Sequence, residues 1–126
     1  MPWSQCNLCY IRSMIIIDSP TSIREISLMA QTGFGDLVKA VVDVERGIMA
    51  LDAELHSDEE ALLLEHGSEQ ADLWGINIYP ELAGSERVEF DSIINIRPSR
   101  GNRTRSIDDP EIRARILRTV DALVVS

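Results

Sequence analysis

Segment 97–105, called the arginine loop below, concentrates positive charge in a chain that is otherwise acidic. Arginine suits bidentate contacts with carboxylate and phosphate groups. Gly101 and Asn102 favour a tight turn with inward-pointing amides, close to the start of a predicted helix, and both features attract anions. The predicted anion-binding residues are Arg97, Arg100, Asn102, Arg103 and Arg105. The alternative is that these arginines pair with the protein's own acidic residues.

A second group combines carboxylates with an imidazole. On an extended chain, Glu54, His56 and Asp58 point to one face, because alternate side chains of a strand share a face. Carboxylate and imidazole ligands suit manganese, iron or zinc, and an open coordination position can activate water. A divalent metal is therefore a candidate cofactor. The alternative is a solvated acidic segment beside the start of a helix or strand.

A short internal repeat places two asparagines in equivalent positions. The string INIYP at 76–80 recurs as INIRP at 94–98. The favoured interpretation is that two strands of one sheet share a pattern, since a repeat architecture needs more copies. The alternative is that Asn77 and Asn95 lie near each other on the solvent face and form a polar site.

Charge and composition exclude several classes of protein. The chain has 126 residues, with 12 basic and 21 acidic side chains and a net charge of −9, which makes general nucleic-acid binding unlikely. Its longest apolar runs, such as Met14–Ile17, have four residues and are far shorter than the roughly 18 residues of a membrane span. With 2 cysteines, the sequence favours a cytoplasmic protein without disulfides, folded as a single domain.

The first residues carry a separate pattern. Cys6 and Cys9 have the Cys-x-x-Cys spacing, but neither a βαβ context nor a second ligand pair accompanies them. Residues 1–13 are therefore predicted to be a disordered tail, or to precede a true start at Met14, and the domain covers 14–126.

The first half of the domain predicts a strand, a helix and a hairpin. A β-branched strand begins at Met14, and Ser22 starts a helix with capping-box spacing. Segment 37–55 has apolar residues at helical spacing, but it also has crowded valines and a central glycine. We favour a hairpin of Lys39–Val44 and Ile48–Leu51 over a helix.

The second half predicts three strands and a helix. The strands are Glu60–Glu65, Leu73–Tyr79 and Val88–Arg97, and the helix begins at Asp108 or Asp109 with Pro110 in its first turn. The order β-α-β-β-β-β-β-α predicts an α+β fold with a largely antiparallel sheet of five to six strands. Both helices are expected on one face.

Several strings resemble a family of small prokaryotic proteins of unknown function. They are LWGINIYP at 73–80, INIRP at 94–98 and GNR at 101–103, and the resemblance covers about Met14 to Leu123. This family implies no established activity, cofactor or catalytic residue. The catalytic residues are therefore unknown, and whether the protein is an enzyme is left open.

Three functions fit these residues. The first is a binding module, able to self-associate as a homo-oligomer, whose arginine loop takes an acidic or phosphorylated ligand. The second is a metal-dependent phosphoester hydrolase or nuclease, in which metal and arginine both neutralise phosphoryl charge. The third is a structural subunit. A cavity shared by His56 and the arginine loop would discriminate between them.

Overall fold

Short β-branched runs form the strands, and alanine- and leucine-containing segments form the helices. The protein is described by a computed structural model over residues 14–126, so the predictions for Cys6, Cys9 and segment 1–13 lie outside the described residues. The strands of the described chain are β1 (Ile15–Ile17), β2 (Thr21–Ser22), β3 (Val38–Asp43), β4 (Ile48–Leu51), β5 (Leu73–Ile78), β6 (Val88–Glu89) and β7 (Val124–Val125). The helices are α1 (Ile23–Thr32), α2 (His56–Glu65) and α3 (Pro110–Leu123).

The central sheet is antiparallel throughout. Within residues 14–126 it has five strands in the order β1-β4-β3-β5-β6, and β2 and β7 form a separate parallel pair. The β3–β4 hairpin confirms the preference for strands in segment 37–55, and Gly47 takes the left-handed conformation in its turn at φ 67°. The predicted α+β fold is therefore confirmed.

Helices cover both faces of the sheet. As predicted, α1 and α3 share one face, where Ile26 and Ile116 are fully buried against strand residues such as Ala40 and Ile76. The opposite face is covered by α2, whose Leu63 packs on Val41. Lys39 and Asn77 pair across β3 and β5, and they share this second face with Val41 because strand side chains alternate.

Helix α2 corrects one predicted strand. Glu60–Glu65 was expected to be the first strand of a hairpin, but it forms the second half of α2. Segment 56–65 has no β-branched residue, and glutamate, alanine and leucine all favour helix. The leucine run at 62–64 resembles a strand only when it is considered apart from the helix start at His56.

The predicted strand Val88–Arg97 is also wrong beyond its first residues. Only Val88–Glu89 pairs with β5, and Ile93–Asn95 and Pro98–Arg100 form short 3₁₀ turns. A Cβ atom at Gly75 would lie 2.6 Å from the Cβ of Ser92, so the glycine allows segment 92–95 to pack directly on β5. Side chains of this segment bond the edge of β5 in place of the missing strand.

Candidate functional site

Two arginines of the arginine loop are bound to the protein itself. Arg97 donates to the Leu73 carbonyl at 2.5 Å, lies 3.6 Å from the Glu60 carboxylate and stacks 4.6 Å from the Trp74 ring centroid. Burial lowers the pKa of Arg97, an effect that Glu60 opposes. Arg100 donates to the Ala71 carbonyl at 2.6 Å and also faces the Trp74 ring. Through these contacts, the two arginines satisfy backbone carbonyls at the start of β5 and just before it.

The asparagines of this region have structural hydrogen bonds. Asn102 is 4% exposed, donates to the Asn95 and Ser106 carbonyls at 2.7 Å each, and accepts from the Asp108 amide at 2.9 Å. Asn95 is fully buried, and its side chain bonds both the amide and the carbonyl of Gly75. Asn102 therefore organises the loop, and Asn95 completes the edge of β5.

The asparagine pair differs from both sequence interpretations. Asn95 does not lie in a strand, so the shared pattern of two strands is wrong. Asn77 and Asn95 are both buried, and neither lies on a solvent face. The Asn77 amide instead donates to the Glu89 carboxylate at 2.8 Å.

The residues proposed for a metal do not share an extended strand. Because α2 begins at His56, Glu54 and Asp58 stand exposed while His56 is buried. Among residues 14–126, no group of three or more histidine, cysteine, aspartate or glutamate side chains is arranged to hold a metal ion.

A cavity at the start of α2 brings together residues from two separate predictions. This α2 pocket has a volume of about 180 Å³. Its lining residues are Lys39, Leu55, His56, Ser57, Ser92, Ile93, Ile94 and Arg105. His56 and Arg105 therefore face one cavity, although they were assigned to different sites in the sequence.

His56 is held in one tautomer inside this pocket. It is 7% exposed, and its Nε2–H donates to the Ile76 carbonyl at 2.7 Å. Burial is the main cause that lowers the pKa of His56 from 6.5 to about 4, so the ring is neutral at pH 7. A neutral imidazole that donates through Nε2 carries a lone pair on Nδ1. Among the described residues, Nδ1 has no hydrogen-bond partner.

The charges around His56 are predominantly positive. Lys39 and Arg105 lower its pKa and Asp91 raises it, which places two cations and one anion within electrostatic range. Asp91 is paired with Arg105 at 2.7 Å, at the exposed side of the pocket. Lys39 lies 5.3 Å from the Phe34 ring centroid, and no carboxylate within residues 14–126 forms a salt bridge with it.

A polar group adjoins the pocket on the same face of the sheet. Glu89 accepts hydrogen bonds from the Asn77 amide and, at 3.0 Å, from the Tyr79 hydroxyl. Partial burial and the Glu89 carboxylate raise the pKa of Tyr79. Asn77 is 7% exposed, and its Oδ1 has no hydrogen-bond partner in the described chain.

Sequence reasoning missed Lys39, Ser57, Ser92 and the role of Asn77. One signal was available: Lys39 is the only lysine of the chain and interrupts an otherwise apolar strand, VKAVV at 38–42. The serines carry no signal in the sequence. Ser92 reaches the pocket because segment 92–95 packs on Gly75, and Ser57 reaches it because α2 begins at His56.

Larger cavities also contain polar groups. One of about 440 Å³ lies beside β1 and α2, and its Arg46 is bonded to the His66 carbonyl and to Ser68. Another of about 510 Å³ is an open groove along α1, where Glu81 accepts from Ser27. A third, of about 270 Å³, joins Arg100 and Asn102 of the arginine loop to Asp108 and Asp109, and these two carboxylates disfavour an anion there. The α2 pocket differs from this third cavity because Lys39 and Arg105 line it without a carboxylate.

The fold and the pocket define an α+β domain with a helix-covered antiparallel sheet and a small polar cavity at one helix start. The model of DUF5674, a family of proteins of unknown function, matches residues 15–123, and the chain belongs to this family. The resemblance found in the sequence is thereby confirmed. No curated protein and no solved structure matches the chain. Within residues 14–126, no helix is both long and apolar enough to cross a membrane.

Proposed function

We propose that the protein is a binding module for a small anionic group, a carboxylate or a phosphate, in the α2 pocket. The observation that carries the proposal is Lys39, a cation without a carboxylate partner in residues 14–126, beside the buried and neutral His56. The pocket has a net positive character in a chain of charge −9. An anion bound there gains Coulombic attraction without displacing a carboxylate from Lys39.

The start of α2 offers backbone amides at the pocket, and Asp58 and Glu59 in its first turn reduce their attraction for an anion. Leu55 is at the N-cap and offers no side chain to accept from the first amides. Helix N-termini carry a partial positive charge, and their free amides hydrogen-bond anions. Ser57, in the first turn, supplies a hydroxyl at the pocket wall.

The size of the pocket limits the ligand. Its volume of about 180 Å³ is below the roughly 300 Å³ at which sites for drug-sized molecules begin. A nucleotide is therefore too large for the cavity, whereas one carboxylate or phosphate group fits. This proposal moves the anion site from the arginine loop to the α2 pocket and keeps only Arg105 from the original set.

Calorimetry at low salt tests the proposal, with inorganic phosphate and propionate as probes. We expect Lys39→Met to weaken binding by about 1.5–3 kcal/mol, the usual contribution of a charged hydrogen bond. Arg103→Gln is the matched control, because it removes one exposed charge from the arginine loop.

Opposite results would identify a different site. If Arg103→Gln weakens binding and Lys39→Met does not, the anion binds the arginine loop. A parallel titration with manganese and zinc tests the hydrolase hypothesis, since a metal that binds only the folded protein raises its melting temperature. Sedimentation of the same samples tests self-association.

A further inference from the structure

One hydrogen-bond acceptor of the α2 pocket and one beside it lack donors in the described chain. His56 donates through Nε2, so its Nδ1 can only accept, and no described residue supplies the donor. The Asn77 amide nitrogen is bonded to Glu89, which fixes its Oδ1 as an acceptor that is likewise unpartnered, but this atom is fully buried. His56 lines the pocket, so its Nδ1 is the acceptor that a donor of the ligand can reach.

Asn77 lies next to the pocket on the sheet, outside its lining residues. It lies directly across from Lys39 in the β3–β5 pairing, and Lys39 lines the pocket. Two residues before it on the same face is Gly75, which is covered by the pocket residues Ser92 and Ile94. Asn77 is therefore flanked on both sides by groups of the pocket wall.

The rim of the pocket is apolar and exposed. Ile93 is 68% exposed and Leu55 is 55% exposed, the two highest values among the large apolar side chains of the described chain. Both line the pocket. A ligand whose anionic group reaches Lys39 would place its remaining atoms against these side chains, because the cavity itself holds only a small group.

We infer that the ligand is a small carboxylic acid that carries a hydroxyl or amino donor next to its carboxylate and an apolar body. The carboxylate binds Lys39, the donor reaches the acceptor Nδ1 of His56, and the apolar body covers Leu55 and Ile93. This inference rests on the proposed function, since it names the class of anion for the same pocket. A bare anion would leave Nδ1 of His56 without a donor and the rim exposed.

Four acids separate the contribution of the hydroxyl to binding from that of the apolar body. They are propionate, lactate, isocaproate and α-hydroxyisocaproate. Isocaproate and α-hydroxyisocaproate differ only by the hydroxyl, and we expect the hydroxyl to tighten binding about fivefold. The isobutyl body should tighten binding about tenfold over the matching short acid, because half-exposed apolar surface is buried. The tightest probe should therefore be α-hydroxyisocaproate, measured by calorimetry with the full chain.

Variants assign each contribution to its residues. Leu55→Ser with Ile93→Ser should remove the preference for the isobutyl body, whereas Leu82→Ser, another exposed leucine, should leave it unchanged. His56→Phe should abolish the preference for the hydroxyl. If that variant fails to fold, the ¹⁵N resonance of His56 Nδ1 in the wild-type protein should shift with α-hydroxyisocaproate and not with isocaproate.

His66 provides an internal control for this measurement. Its Nδ1 faces the Leu62 carbonyl at 2.9 Å and therefore donates, the opposite tautomer to that of His56. Its resonances should not respond to the acids. If all four acids bind equally and through Lys39, the inference is overturned and the proposed function stands. If neither the acids nor phosphate bind through Lys39, both fail.

Discussion

The arginine loop and the α2 pocket contain similar polar side chains, but the two regions use them differently. In the loop, Arg97, Arg100 and Asn102 direct their donors to backbone carbonyls and to the face of Trp74. At the pocket, His56 Nδ1 and the adjacent Asn77 Oδ1 have no partner in the described chain. The loop contains more positive charge, and the unpartnered buried atoms at the loop include donors of Arg97 and Trp74, whereas the unpartnered atoms at the pocket are acceptors.

This difference has a structural cause. The strand β6 pairs only with Asn77 and Ile78 of β5, so the first half of β5 would be an open edge. Asn95 and Arg97 close this edge with their side chains. Uncovered sheet edges promote association with other chains, which gives these residues a role in the fold. Charge density alone therefore does not identify a binding site, because arginine side chains also serve to close the edge of a sheet.

The largest expected effect is a loss of stability when the arginine loop is altered. Asn102→Ala should lower the free energy of unfolding by about 3 to 5 kcal/mol, because each buried partner left unpaired costs about 1–3 kcal/mol. The Asn95 and Ser106 carbonyls and the Asp108 amide would all lose their partner. Urea denaturation measures this change, and a loss below that of a single surface substitution would contradict the structural role.

The next effect concerns His56 and pH. Its folded pKa of about 4 lies below the ordinary value of 6.5, so the unfolded chain binds the proton first. Stability from neutral His56 is therefore complete above pH 6.5 and falls as the pH drops to about 4. The loss should be on the order of 3 kcal/mol.

Variants separate the pH dependence of stability that His56 causes from the pH dependence that the carboxylates cause. The difference in unfolding free energy between the wild-type protein and His56→Gln should change with pH across this range, since glutamine does not titrate. His66→Gln, which replaces the other and exposed histidine, is the matched control. A difference curve for His56→Gln that is flat with pH would mean that the imidazole is solvated in the folded protein.

A medium effect is expected at Gly75, where the two regions meet. The added Cβ of Gly75→Ala would lie 2.6 Å from Ser92 and 3.2 Å from Ile94. Overpacking of this kind costs about 1–3 kcal/mol. Ser92→Gly should recover part of the loss in the double variant, because the two residues are in contact. Strictly additive losses, measured by thermal unfolding, would argue against this close approach.

The smallest changes in stability are expected for two variants that test binding. Lys39→Met removes a cation–π contact and should change the unfolding free energy by less than about 1 kcal/mol, although it removes the cation of the pocket. Arg103→Gln should change neither stability nor binding. Parallel denaturation and calorimetry check both variants. A large stability loss in Lys39→Met would place this lysine among the structural residues, as in the loop.

Much of the fold followed from local pattern. Ser22 accepts the hydrogen bond from Glu25 that the capping-box spacing predicted, and Asp109 with Pro110 begins α3 as expected. Valine-rich segments formed strands despite a helical spacing of apolar residues. The strand predicted over the second half of α2 was wrong, because the residues of segment 56–65 favour helix. The strand predicted over segment 90–97 was wrong because packing against β5 overrode its alternating apolar pattern.

The site depended on information that the sequence contains only in part. The sequence alone determined the fold class, the caps of α1 and α3 and the residue types at the arginine loop and at His56, because these follow from local spacing and side-chain chemistry. Only the tertiary structure decided which of these groups remain unpartnered. Arg97 bonds Leu73 across 24 positions, and His56 bonds Ile76 across 20. Such long-range contacts determine which polar groups are bound internally, and no local pattern records them.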